Sequence, residues 1–135
     1  MLALSMAVLV VPPACSKREA TEIPGLISED LKLEEAFALI EDNRYDDDFI
    51  IIDLRSAEEF ANGHIEEAAN LDYSSADFAG ELEALDRDKI YLIYSYTDDI
   101  SGQVLDMMAG LGFAEVYNLL GGIVGWRQTG LPLVK

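Results

Sequence analysis

The sequence predicts an α/β fold, a parallel β-sheet with helices on both of its faces. Two observations carry the prediction. Short runs rich in β-branched and aromatic residues alternate along the chain with longer stretches whose apolar residues recur at helical spacing. The strand-like runs also lack polar alternation, which is what a strand buried on both faces requires, and that burial goes with right-handed crossover helices.

Taken in order, Lys32 to Asp42 carries Leu33, Ala36, Phe37 and Ile40 on one helical face, with Glu34, Glu35 and Glu41 turned to water. Ser28 is a cap candidate ahead of it, and Glu29 and Asp30 place acids at its positive end. Phe49-Ile50-Ile51-Ile52 reads as a buried strand, and Asp46-Asp47-Asp48 before it as a solvated loop. Ala69-Asn70-Leu71 is a shorter strand candidate. Ser74 to Leu85 places Phe78, Leu82 and Leu85 on one helical face. Ile90 to Tyr94 is a second full strand. Ser101 to Leu111 then presents Val104, Leu105, Met108 and Leu111, with Gly112 placed to end that helix in a left-handed conformation. Val116 to Leu119 is the last strand. The chain has no internal repeat and no low-complexity segment.

Composition narrows the function. At 135 residues the chain supports one domain, and its 50% apolar content argues against wholesale disorder. With 26 acidic residues against 9 basic ones the formal charge is −17, which excludes electrostatic capture of nucleic acid or of anionic lipid head groups. The single cysteine cannot form an internal disulfide, a thiol-pair redox centre or a Cys-rich zinc site. No cofactor and no metal are expected.

Residues 1–11 form an uncharged apolar run, short of the about 20 residues that span a bilayer as a helix but suited to the core of a secretory signal. Pro12-Pro13-Ala14 then leads into Cys15. The arrangement resembles a bacterial lipoprotein signal. It implies removal of residues 1–14, acylation of Cys15, a polar tether over 15–22 and a folded domain over 23–135. The location implied is the bacterial envelope, with the lipid as the only membrane contact. An ordinary secretory signal followed by a free cysteine is the other reading. Residues 1–14 carry no charged side chain, so the whole charge of −17 stays with the mature chain in either case.

In an open parallel sheet, ligands bind beyond the carboxyl ends of the strands. Two such ends carry polar residues, Asp53-Leu54-Arg55 and the segment Ser95-Tyr96-Thr97-Asp98-Asp99-Ile100-Ser101. The first belongs to IIDLRSAEEFANGHIEEAANL, which resembles the first signature of the rhodanese-like domain family through Asp53, Arg55, Glu59-Phe60, Gly63-His64-Ile65 and Ala68 to Asn70. GFAEVYNLLGGIVGWRQTGLPL is similar to the closing segment of that family, through Gly112-Phe113, Val116, Gly121-Gly122, Trp126, Gly130 and Pro132. The resemblance covers roughly residues 22–135 and implies a central parallel sheet of about five strands with helices on both faces.

It also implies a chemistry, sulfur transfer by a cysteine thiolate at the head of the loop after the central strand. Backbone amides and the following helix N-terminus favour that thiolate. Here the position after Leu92-Ile93-Tyr94 is Ser95. A hydroxyl stays protonated unless a base activates it, and oxygen cannot hold a persulfide. No arginine lies between Ser95 and Ser101, while Asp98 and Asp99 repel an incoming anion. The phosphatases that share the fold fail for the same reasons. His64, the only histidine and hence the only imidazole base for a serine nucleophile, belongs to the Gly-His-Ile turn and reads as structural.

The supporting residues have simple readings. Asp53 and Arg55 pair with neighbouring loops and hold the sheet edge, and Glu59 bonds within its own turn. Asp98 and Asp99 serve the helix end rather than a cation, and Trp126 packs a final helix against the sheet. The function expected is a non-catalytic rhodanese-like module that binds a protein with a basic patch through Ser95 to Ser101. The alternative is a sulfurtransferase with an atypical mechanism.

Overall fold

The computed structural model describes residues 26–135; the signal-like run, Cys15 and the tether lie outside the described residues. The chain runs β1 (Ile27–Leu31), α1 (Leu33–Asp42), β2 (Phe49–Asp53), α2 (Ala57–Ala61), β3 (Ala69–Asn70), α3 (Phe78–Glu83), β4 (Ile90–Tyr94), α4 (Asp98–Gly110), β5 (Glu115–Leu119) and α5 (Gly122–Gln128). Five parallel strands lie in the order β1-β5-β4-β2-β3. This is the predicted class, with the predicted number of strands.

Successive side chains of a strand point to opposite faces, and β4 divides the core accordingly. Tyr91 and Ile93 join Phe78 and Leu82 of α3 and Val104, Leu105 and Met108 of α4 in one layer. Leu92 and Tyr94 join Ala36 and Phe37 of α1 and Ile123 and Trp126 of α5 in the other. The helices therefore cover both faces, and Trp126 packs the last helix down as expected. Each fully buried large apolar side chain contributes about 1.5–3 kcal/mol to holding the layers together.

Four elements differ from the sequence reading. Ser28, Glu29 and Asp30 do not cap α1; they lie in β1, paired with Val116, Tyr117 and Asn118 of β5. An edge strand is held by backbone bonds and leaves its side chains exposed, so a polar sequence serves it well. The cap of α1 is Lys32, whose N–H donates to the Glu35 carboxylate at 2.8 Å. Helix α3 is shorter than Ser74 to Leu85. The Asp72 carboxylate accepts the N–H (2.9 Å) and hydroxyl (2.6 Å) of Ser74, a local turn that competes with helix. Helix α4 starts at Asp98 rather than Ser101. Short helix α2 was not foreseen; a reciprocal Ser56–Glu59 capping box starts it. At the other end of α4, Gly112 adopts φ +82° as predicted.

Candidate active site at the carboxyl edge of the sheet

Strands β2, β4 and β5 end at the same edge, and the β4–α4 connection crosses it. Ser95 directly follows β4 and is only 3% exposed, while Tyr96 and Thr97 face solvent. Thr97 is the N-cap of α4 with an extended backbone. Asp98, Asp99, Ile100 and Ser101, expected in the loop, form the first turn of the helix. Among the described residues, the backbone N–H groups from Tyr96 to Ile100 find no hydrogen-bond partner. They crown the positive end of a 13-residue helix.

The loop carbonyls are held from the other side. Ser95 O accepts from Ile123 N at 2.9 Å, and Tyr96 O from Val124 N at 3.4 Å. The start of α5 thus packs directly on the loop, which only glycine permits. A Cβ on Gly122 would lie 2.5 Å from Ser95 O and 2.6 Å from Tyr96 O, and its φ is +57°. Asp98 completes the junction, its carboxylate accepting the Gly121 N–H at 2.7 Å. The Asp98 side chain therefore serves the start of α5 rather than capping its own helix.

Beneath the loop lies a buried polar network. Asp53 Oδ1 accepts from Arg55 N at 2.9 Å, and its Oδ2 accepts from Arg55 Nη2 and from the Tyr94 hydroxyl, each at 2.7 Å. Arg55 Nη2 also donates to Gly63 O at 2.6 Å, and Tyr94 Oη accepts from Ile65 N at 3.1 Å. Asn70 Nδ2 donates to the carbonyls of Asp53 and Arg55. Burial opposes the Arg55 charge, but the Asp53 carboxylate outweighs it and holds the guanidinium above its usual pKa. Burial, with the Asp53 charge beside it, holds the Tyr94 phenol well above the ordinary value. Asp53 and Arg55 thus pair chiefly with each other, and β2 lies inside the sheet between β4 and β3.

The other predicted residues bond within their own segment. Glu59 accepts from Ser56 N and Oγ, a bond within its own turn as expected. The His64 imidazole stacks on Phe60 with ring centroids 3.7 Å apart, and its Nδ1 lies 2.8 Å from Phe60 O. No side chain among the described residues hydrogen-bonds the Ser95 hydroxyl, and no group of three or more His, Cys, Asp and Glu is placed to hold a metal. Chemically, the free amides favour an anion while Asp98 and Asp99 oppose one. The phenol of Tyr94 escaped the sequence reading, because an aromatic in a strand run looks like core. The Gly121-Gly122 pair was visible, but not its contact with the loop.

A parallel sheet flanked by helices, with its ligand-type loop between β4 and a helix N-terminus, defines the class of protein. The chain belongs to the rhodanese-like domain family, whose model matches residues 32–129. It is 37% identical over 81 residues to a thiosulfate sulfurtransferase GlpE of Stutzerimonas stutzeri, covering 59% of this chain and 72% of that protein. It is 33% identical over 91 residues to YibN of Escherichia coli, an uncharacterized protein, covering 66% of this chain and 63% of the other. A rhodanese-related protein from Thermoplasma volcanium has the same fold, with a TM-score of 0.67, 22% identity and coverage of 78% of this chain and 97% of that one.

Proposed function

We propose that this rhodanese-like domain is catalytically silent and serves as a binding module, held at a bacterial envelope by a lipid on Cys15. The observation that carries the reading is Ser95. It heads the loop where the resemblance implies a thiolate, and among the described residues no side-chain base hydrogen-bonds its hydroxyl. The acids of the first α4 turn support the same reading, because they weaken the anion preference of the exposed amides. They favour a protein partner with a basic patch at the Ser95–Ser101 face.

Thiosulfate:cyanide turnover by the purified domain is the direct test. The expectation is no thiocyanate above background; turnover that vanishes in Ser95→Ala overturns the reading. Intact mass of protein expressed with its signal tests the anchor, since an unmodified Cys15 removes it.

The likeness to proteins named thiosulfate sulfurtransferase, together with the unpartnered amides, favours a second reading. A partner's thiolate attacks the outer sulfur of thiosulfate, takes it as a persulfide and releases sulfite, while the domain holds the anion. Sulfite release that needs both the domain and added glutathione would establish this reading and retire the first.

A further inference from the structure

At the amino end of β2, a cavity of about 670 Å³ opens between the end of α1 and the turn from Ile65 to Ala68. No residue of the β4–α4 loop lines it. Its floor is apolar, made by Phe37 and Ile40 of α1, Phe49 and Ile51 of β2, and Ile65 and Trp126. Its rim is acidic. Glu41, Asp46, Asp47, Glu66 and Glu67 stand against one cation of the lining, Arg44, which already pairs with Glu41 on one wall and lies 3.5 Å from Glu66 on the other; Lys89, outside the lining, reaches only the Asp47 carbonyl of this rim, at 3.2 Å. Those pairs are exposed and therefore easily exchanged for a better cation. Tyr45, at the same mouth, leaves its side chain 94% exposed.

Glu67 adds an independent observation. Its φ of +68° makes it the one non-glycine residue with positive φ among the described residues. Ala68 N donates to Ile65 O at 3.0 Å, so Glu67 is the third residue of a tight turn, the place where glycine is at ease. A glutamate here is held against its backbone preference, and what it supplies that glycine cannot is a carboxylate at the cavity rim.

We propose that this cavity is a docking site for a peptide segment of a partner protein, a pair of apolar side chains entering it with lysines or arginines on either side. The volume suits a few inserted groups. An anion meets five carboxylates, and a purely apolar ligand leaves them with Arg44 as the one cation of the lining, so a cationic flank is the complement the rim selects. This site stands independently of the reading of the Ser95 loop.

Trp126 is the only tryptophan of the chain and lines the cavity, so its emission reports occupancy. The probe is the blocked hexapeptide Lys-Lys-Leu-Phe-Lys-Lys, titrated against the full chain at low and at physiological salt. A saturable change is expected, weaker at higher salt. Glu67→Gly should bind about threefold more weakly, and the Glu66→Gln, Glu67→Gly pair about tenfold. Glu67→Gly relieves the backbone, so it should melt no lower than the parent, and lost binding cannot then be lost folding. Three results overturn the proposal: no saturation, equal binding of Lys-Lys-Ser-Ser-Lys-Lys, or unchanged affinity in the paired variant. An emission change that follows protein concentration, with a dimer in sedimentation, assigns the cavity to a second copy instead and overturns it as well.

Discussion

Replacing Gly122 by alanine tests whether the start of α5 holds the candidate loop in place. The added Cβ would stand 2.5 Å from Ser95 O and 2.6 Å from Tyr96 O, closer than real contacts allow. Both obstacles are backbone atoms, which cannot rotate aside as a side chain does. The carbonyls can retreat only by giving up the bonds from Ile123 N and Val124 N, each worth about 1 kcal/mol. Alanine also pays about 1–2 kcal/mol for the left-handed backbone that Gly122 holds at φ +57°. The expected loss is about 3–4 kcal/mol, a large share of the about 5–15 kcal/mol that holds a domain folded. For a domain of this size that lowers the Tm by about 12–16 °C. Urea and thermal denaturation followed by far-ultraviolet circular dichroism measure it. Gly102→Ala is the matched control: it lies inside α4 with nothing within 4 Å of an added Cβ, and should gain about 0.5–1 kcal/mol. A Gly122→Ala variant melting within about 2 °C of the parent would refute the clamp.

Three further outcomes are expected. Asp53→Asn leaves the Arg55 guanidinium buried without its counter-charge and should cost about 3–5 kcal/mol in urea denaturation, part of which Arg55→Met in the same chain should restore. Stability should fall on the alkaline side: the unfolded chain releases the Tyr94 proton near the ordinary phenol value of 10.0, whereas the folded chain keeps it to higher pH. The contribution is therefore complete below that value and lost above it, and Tyr94→Phe should flatten this limb of a urea midpoint profile, leaving the weaker share of Tyr91 and Tyr117, also raised by burial. Ser95→Cys should not by itself bring efficient thiosulfate:cyanide turnover, while adding Asp98→Asn and Asp99→Asn should raise it about tenfold; full activity in the single variant would mean that only the nucleophile is missing.

Strands β2 and β4 were legible because burial on both faces leaves the uninterrupted runs from Phe49 to Ile52 and from Ile90 to Tyr94. Strand β1 was not, because Ile27–Leu31 joins the sheet through its backbone and keeps Ser28, Glu29 and Asp30 exposed, leaving no apolar signature. The start of α4 was missed by three residues because Asp98, Asp99 and Ile100 precede the apolar stripe on which the helix was recognised. At the site, the end of an apolar run sufficed to locate Ser95. Tyr94 could not be told from a core aromatic until Asp53, 41 residues away in the chain, came within 2.7 Å of its hydroxyl.

The division of labour around Ser95 explains how the family frame and the loop chemistry can separate. Arg55 and Tyr94 both donate to Asp53, Arg55 also donates to Gly63 O and Tyr94 accepts from Ile65 N, so the network beneath the loop maintains chain geometry. The clamp above it is also backbone, from Ile123 and Val124 to the carbonyls of Ser95 and Tyr96. The side chains of Tyr96, Thr97, Asp98 and Asp99 are exposed, and substitution of exposed residues usually changes stability little. The loop can therefore exchange its charge while the frame stays intact. Asp98 is the exception within that set, since its carboxylate also receives the Gly121 N–H. Asp99 has no such bond among the described residues, so neutralising it alone changes the field at the amides without loosening the junction, and a difference between the two single variants separates electrostatics from architecture.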